Sequence, residues 1–214
     1  TLGFNLVILP FKANGKPQHV KGFLDKFKNT AAKATKYFNE IAKHDIAMIG
    51  LDASLVFAYR DEYVKALGED AVNFKVDVLS EWLLSQVNDK QDFSHIKMPS
   101  AAEPTNYDLL THCTEKSLMA DVSKQWQTIF DKLGLNINPV STGCCGMAGT
   151  FGHEKKNQQA SKDIYQLSWQ PTLEKLNKPN RETLATGFSC RSQVKRYEDT
   201  KLRHPIQVIA ELNT

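Results

Sequence analysis

The first 112 residues contain no cysteine, and all four cysteines of this 214-residue chain lie between positions 113 and 190. So few, unevenly clustered and without a secretory signal, they do not make a disulfide scaffold and fit a reduced, cytoplasmic setting, with a peripheral inner-membrane location left open. No Lys/Arg-rich run is present and the net charge is only +3, so nothing points to nucleic acid as a partner. The longest apolar stretches, such as Ile46 to Leu51, have the length of a strand, so no transmembrane segment is expected. Neither a Gly-rich dinucleotide fingerprint nor a Walker loop occurs, which places any flavin or nucleotide site outside these residues. What is present is ordinary for a globular protein: 41% hydrophobic and 24% charged residues, enough for one domain or two small lobes. The opening Thr1-Leu2-Gly3-Phe4 runs almost at once into a strand-like stretch, which suggests a piece of a longer polypeptide.

Periodicity predicts strands alternating with helices. Asn5 to Leu9 reads as a buried strand. A long helix follows, with Phe23, Phe27, Ala31, Ala34, Phe38 and Ile41 on one face. Ile46 to Leu51 reads as a second strand, and Asp52-Ala53-Ser54 as the cap of the next helix. Val78 to Val87 is predicted helical, with Leu79, Trp82 and Leu83 inward, and residues 88 to 106 read as a connection between lobes. In the second half Tyr107 to Leu110 reads as a strand. A single helix then buries Leu118, Val122, Trp126, Ile129 and Leu133, and Gly134 ends it. A strand around Ile137 to Val140, a helix from His153 to Leu176, a strand from Thr183 to Thr186 and a helix after Gly187 complete the pattern. This is an α/β fold with mainly parallel sheets flanked by helices.

The pattern repeats. Leu9 to His19 lines up without gaps on Gly143 to His153, which sets Gly15 against Gly149 and His19 against His153. One further inserted residue brings Asp52-Ala53-Ser54-Leu55 opposite Gly187-Phe188-Ser189-Cys190. The first copy has Pro10, Phe11 and Leu55 where the second has Cys144, Cys145 and Cys190. The expected domains are therefore two pseudo-repeated lobes. The first, over residues 1–100, has lost its thiols and lacks its amino-terminal start; the second, over 101–214, carries all four cysteines.

Adjacent cysteines between glycines, Gly143-Cys144-Cys145-Gly146, cannot form an unstrained disulfide with each other. The glycines let the backbone approach a bound group closely. Cys113, Cys144, Cys145 and Cys190 each fall at or after a strand's carboxyl end, where parallel sheets place ligands. Their separations of 30 and 44 residues require the fold to assemble the site. Four thiolates can hold a [4Fe–4S] iron–sulfur cluster or a tetrahedral zinc; unliganded thiols, a structural or docking role and thiol redox chemistry at Cys144-Cys145 are the alternatives.

Cys113, Gly143-Cys144-Cys145-Gly146 and Ser189-Cys190 together resemble the cysteine-rich CCG domain. That domain occurs, usually in tandem, in the cysteine-rich component of heterodisulfide reductase, the iron–sulfur component of glycolate oxidase and the small component of anaerobic glycerol-3-phosphate dehydrogenase. The stretches from Gly143 to Glu154 and from Ala185 to Gln193 resemble the C-terminal region of large bacterial FAD-linked oxidases with iron–sulfur domains, of the D-2-hydroxyglutarate and D-lactate dehydrogenase kind. Arg60-Asp61-Glu62-Tyr63 and His204-Pro205-Ile206-Gln207 extend the resemblance along the chain. It implies an electron-transfer region of a FAD-dependent D-2-hydroxy acid dehydrogenase. The four cysteines would be metal ligands, and the FAD and ferredoxin-like domains would lie upstream in the same polypeptide. The resemblance also implies that the fragment alone is inactive. Gln193 stands where the wider family has a further cysteine, which leaves a four-thiolate centre rather than a five-thiolate one.

Other residues are weighed against plainer roles. His112 and His153 are candidates to support the centre or ligate it, and Gln193 to support it from its place in the motif. Glu115 and Glu154 suit first-turn electrostatics. Arg191, Lys195 and Arg196 suit a solvated helix face, and Trp126 and Trp169 suit the core.

Overall fold

The computed structural model describes residues 2–88 and 106–212. The residues form two compact units, Leu6–Trp82 and a second taking in Leu83–Thr214 with Thr1–Asn5. Most of the connection expected over residues 88 to 106 lies outside the described residues.

In the amino-terminal unit, α1 (Lys16–Val20) leads to the long α2 (Leu24–Ala42), which buries Phe27, Ala31, Ala34 and Thr35. Phe23, expected on that buried face, is instead the exposed residue before the helix. β1 (Met48–Gly50) is followed by α3 (Ala53–Phe57), whose cap is Asp52, accepting from the Ser54 N–H at 2.9 Å. A π-helical turn (Ala58–Glu62) joins α3 to α4 (Tyr63–Leu67). β2 (Val76–Val78) pairs in parallel with β1, and α5 (Leu79–Asn88) follows. Arg60 holds this helical run to β2, donating to the Val76 carbonyl at 2.9 Å and pairing with Asp77 and Glu81. Tyr63, fully buried beside Phe27, donates to the Asn14 carbonyl at 2.9 Å.

In the carboxy-terminal unit, β3 (Asn106–Leu110), β4 (Asn136–Pro139) and β5 (Arg181–Ala185) form a parallel sheet in the order β4-β3-β5. Asp108 lies opposite both Asn138 and Thr183, and an isolated parallel bridge joins Leu184 to Arg203 beyond β5. The flanking helices are α6 (Cys113–Leu118), α7 (Val122–Lys132), α8 (Gln158–Leu176), α9 (Phe188–Glu198) and α10 (Pro205–Glu211). Central β3 is buried at four of its five positions, as a parallel strand covered on both faces must be. The core under the carboxyl edge joins Leu110, Tyr165, Trp169, Ala185 and Val194 to Cys145 and Cys190. The α/β expectation with parallel sheets therefore holds. Among the described residues no helix is long and apolar enough to cross a membrane.

Four local expectations are corrected. Asn5 to Leu9 is not a buried strand; Leu6, Val7 and Ile8 are exposed and outside any ladder. A strand needs a neighbour to accept its backbone hydrogen bonds, and the β1-β2 pair supplies none here. The strand at Ile46 to Leu51 shrinks to three residues, with Ile46 and Leu51 exposed. The helix expected through Leu118 to Leu133 breaks into α6 and α7, because Met119 leaves helical geometry (φ −131°, ψ 94°). Met119 is then buried in place of Leu118, which is exposed. His153 does not begin the long helix: two 3₁₀ turns, Phe151–His153 and Lys155–Asn157, precede α8.

Candidate metal centre

Each cysteine reaches the carboxyl edge of the β4-β3-β5 sheet by a different route. Cys113 is the first residue of α6, separated from the end of β3 by Thr111 and His112. Cys144 and Cys145 lie in the loop after β4, and Cys190 in the first turn of α9, after β5. Cys113 and Cys144 are exposed and Cys145 and Cys190 are buried, so the group lies across the boundary between solvent and core.

The four thiols are neighbours. The side chains of Cys113, Cys144, Cys145 and Cys190 lie close enough to perturb one another. Of these thiols, Cys144 is the one whose pKa is lowered. The Cys113 and Cys145 thiols, helped by the Gly146 N–H at 3.3 Å and the nearby His112, hold it well below the ordinary thiol range against the opposing effect of burial. Cys113 and Cys145 are pushed up by the adjacent Cys144 and by burial. The Gly146 N–H thus points at the Cys144 sulfur, where it favours negative charge.

The reverse side of the loop is held through its carbonyls. Five successive carbonyls each accept a side-chain hydrogen bond from a flanking helix. Lys116 Nζ donates to Thr142 O at 2.6 Å, Trp169 Nε1 to Gly143 O at 3.0 Å and Ser168 Oγ to Cys144 O at 3.3 Å. Gln193 Nε2 donates to Cys145 O at 2.9 Å and Ser161 Oγ to Gly146 O at 2.8 Å. Gly146 occupies the left-handed region at φ 84°, and a Cβ there would collide with the Ser161 carbonyl. Gly187 is similarly confined, because a Cβ would strike the His112 ring and come within 2.9 Å of Cys190 Sγ.

The other sequence candidates separate clearly. His112 is buried at the start of α6, its Nε2 3.2 Å from Ser189 Oγ. Its N–H is shared by Glu115 and Thr186, which makes Glu115 a capping residue. His153 is exposed on a 3₁₀ turn, and no described contact joins it to a thiol. Gln193 is fully buried behind the loop, with Nε2 on Cys145 O and on Ser161 Oγ, so it braces the cysteine backbone. Arg191 is tied to the end of β5, donating to Ala185 O and Thr186 O, and Arg196 donates to Gly152 O at 2.8 Å. These two are more than a solvated face, whereas Lys195 is exposed. Glu154 lies between the two 3₁₀ turns, paired with Lys156. Trp126 and Trp169 are core residues, as expected. Sequence reasoning missed Lys116, Ser161 and Ser168, which carry no local signal of their role.

Thiolates are soft donors of the kind that hold zinc or an iron–sulfur cluster, and the Gly146 N–H is directed at one of the four sulfurs. Among the described residues no three His, Cys, Asp or Glu side chains are gathered as one metal ion would require. A separate cleft of about 470 Å³, lined by Asp108, Asn136, Asn138, Leu176, Lys178 and Arg181, contains no cysteine.

No protein-family profile matches the sequence. The chain is 45% identical over 211 residues to a D-2-hydroxyglutarate dehydrogenase of Pantoea ananatis and 44% identical over 211 residues to that of Escherichia coli K12. These alignments cover 99% of this chain and 20% of each relative. A more distant relative, one of the subunits of the anaerobic glycerol-3-phosphate dehydrogenase of Escherichia coli K12, is 23% identical over 204 residues, 94% of this chain and 49% of the relative. The chain is thus homologous to a segment, one fifth in length, of proteins named as D-2-hydroxyglutarate dehydrogenases.

Proposed function

We propose that this chain is the iron–sulfur electron-transfer region of a FAD-dependent D-2-hydroxy acid dehydrogenase, with Cys113, Cys144, Cys145 and Cys190 as the thiolate ligands of one centre. The observation that carries this reading is the Thr142–Gly146 loop, whose five carbonyls are all tied back while the Gly146 N–H donates to Cys144 Sγ at 3.3 Å. A thiol pair serving only as core would not need its backbone dipoles turned in this way. The named dehydrogenase relatives favour the same assignment. The FAD and ferredoxin-like domains belong, in this proposal, to the rest of a longer polypeptide. The two lobes are a tandem CCG-type pair in which only the second keeps its thiols.

An iron–sulfur cluster, [4Fe–4S] for four thiolates, would supply one-electron transfer between the flavin and an acceptor. The residues of this chain do the rest. Cys113 and Cys144 form the solvent-facing side and Cys145 and Cys190 the buried side. The Gly146 N–H, donating to Cys144 Sγ at 3.3 Å, offsets part of the negative charge that four thiolates would bring. Gln193 and Ser161 fix the Cys145–Gly146 peptides from the core side. Gln193 supplies no fifth thiolate, so the centre is a four-sulfur one.

Anaerobic purification and reconstitution with iron and sulfide, followed by metal analysis and absorption spectroscopy, tests the assignment. Stoichiometric iron with a sulfur-to-iron charge-transfer band is expected, and Cys145→Ser should abolish it. Stoichiometric zinc without iron after reconstitution would instead assign the thiols a structural role. An iron spectrum unchanged by Cys145→Ser would remove that residue from the ligand set.

A further inference from the structure

Of the five donors that hold the Thr142–Gly146 carbonyls, four are neutral and one is charged. Trp169, Ser168 and Ser161 come from α8, and Gln193 comes from α9. The charged donor is Lys116 of α6, whose Nζ lies 2.6 Å from Thr142 O. A carbonyl needs no more than a hydroxyl or an amide as its donor, as Ser161 and Gln193 show. Ordering a lysine costs more side-chain entropy than ordering a serine. Length and charge are what the lysine adds.

The place of Lys116 in α6 uses both. Cys113 opens α6 and Lys116 follows three residues later. Their side chains therefore leave the same face of the helix, with Cβ atoms about 5–6 Å apart. At the other end of the bond, Thr142 precedes Cys144 by two residues, so their Cα atoms are at most roughly 7 Å apart. The lysine stem thus runs from beside Cys113 to the stretch that carries Cys144, the two exposed thiols of the group. Cys145 and Cys190 are fixed in another way, packed in the core with Tyr165, Trp169 and Val194. The exposed pair lacks that burial and stands on two separate elements, the start of α6 and the loop after β4. Glu115, next to Lys116 in sequence, serves the α6 cap, where it accepts the His112 N–H at 3.0 Å. Lys116 itself is half-buried, where a charge acts on its neighbours more strongly than in open water.

We propose that Lys116 is a positioning residue of the four-cysteine centre: it clamps α6 to the cysteine loop, which keeps Cys113 beside Cys144, and its charge raises the reduction potential of a cluster bound there. The potential rests on the iron–sulfur reading given above, whereas the clamp rests on the hydrogen bond from Lys116 to Thr142 O. The net charge of an iron–sulfur centre is one of the factors that set its potential, and four thiolates make that charge negative. Reduction adds a further electron. A cation close by favours the more negative, reduced form, so its removal makes reduction harder. The four neutral donors to the loop carbonyls fix the backbone without this effect.

Two measurements on the full-length protein test this. In the first, protein reconstituted anaerobically with iron and sulfide is titrated against potential. The signal followed is the electron paramagnetic resonance that Cys145→Ser abolishes. Its midpoint should become more negative in Lys116→Met, while Lys116→Arg, which keeps the charge, should stay close to the parent. An unchanged midpoint in Lys116→Met would overturn the electrostatic role, and so would equal shifts in the Met and Arg variants. In the second, metal-free protein is titrated with cadmium, read by the thiolate absorption that Cys145→Ser removes. Lys116→Met should bind at least tenfold more weakly and Lys116→Arg should recover most of the loss; affinity equal to the parent in Lys116→Met would overturn the clamp. Circular dichroism checks that each variant is folded, and Lys116→Gln replaces Lys116→Met if the latter is not. A parent protein without any Cys145-dependent iron signal would defeat the electron-transfer reading, and the cadmium titration would still decide the clamp.

Discussion

At the scale of single residues, the cysteine loop depends on groups that never touch a sulfur. Gly146 shows this most sharply. Its backbone is left-handed and its Cα faces the Ser161 carbonyl, so any side chain meets both strain and a clash. Gly146→Ala is expected to cost about 1–3 kcal/mol from the backbone conformation alone. For a chain of this size that corresponds to a fall in melting temperature of roughly 2–4 °C per kcal/mol. Urea denaturation checks it, and a variant as stable as the parent would show that the loop relaxes freely. Gln193 makes a related point. Its position in the motif was legible from sequence, but its action was not: Nε2 is directed at the Cys145 carbonyl and Ser161 rather than at the thiols. Gln193→Leu removes both bonds and is expected to destabilise the unit by about 1–3 kcal/mol through the buried acceptors left behind.

At the scale of elements, β3 is held between its neighbours by more than its ladder. Asp108, nearly inaccessible on this central strand, accepts two hydrogen bonds from Arg181 of β5, at 2.8 and 2.6 Å, and one from Asn138 of β4 at 2.8 Å. Burial pushes its carboxyl up, but Arg181 and Asn138 together bring it below its ordinary value near 3.8. A carboxyl whose folded pKa is depressed contributes stability that is present above its unfolded value. That contribution is lost as pH falls from about 4 through the lower folded value. The parent should therefore lose stability towards pH 3, whereas Asp108→Asn should already be less stable at neutral pH by about 1–3 kcal/mol and change less with acid. Urea midpoints at pH 7 and pH 3 for both proteins provide the measurement; parallel acid losses would assign the sensitivity to other carboxylates. Elements with a strong period were legible beforehand. α2 buries Phe27, Ala31 and Ala34 as its pattern requires, and Asp52 caps α3. The break at Met119 was not legible, because Leu118 and Met119 are both apolar and only packing selects which one turns inward.

At the scale of the whole molecule, the repeat separates what the fold needs from what the chemistry needs. The same succession of long helix, short strand and helix is built once around Phe27 and Tyr63 and once around Trp169, Cys145 and Cys190. If the FAD site lies, as proposed, elsewhere in a longer polypeptide, the 214-residue chain should not oxidise D-2-hydroxyglutarate by itself. Turnover by the purified chain with an artificial electron acceptor would contradict that expectation.

The sequence alone determined which side chains are available, the clustering of the thiols in the second half, the helix phases and the repeat. Those are properties of composition and of spacing along the chain. Tertiary structure alone decided which groups would hold the Cys144-Cys145 loop, because its carbonyl partners lie between 15 and 48 residues away and belong to three different helices. It also decided that Asn5 to Leu9, apolar enough to be a strand, would not be one here. Apolar character is a property of the residues themselves, whereas a strand exists only where another strand accepts its hydrogen bonds.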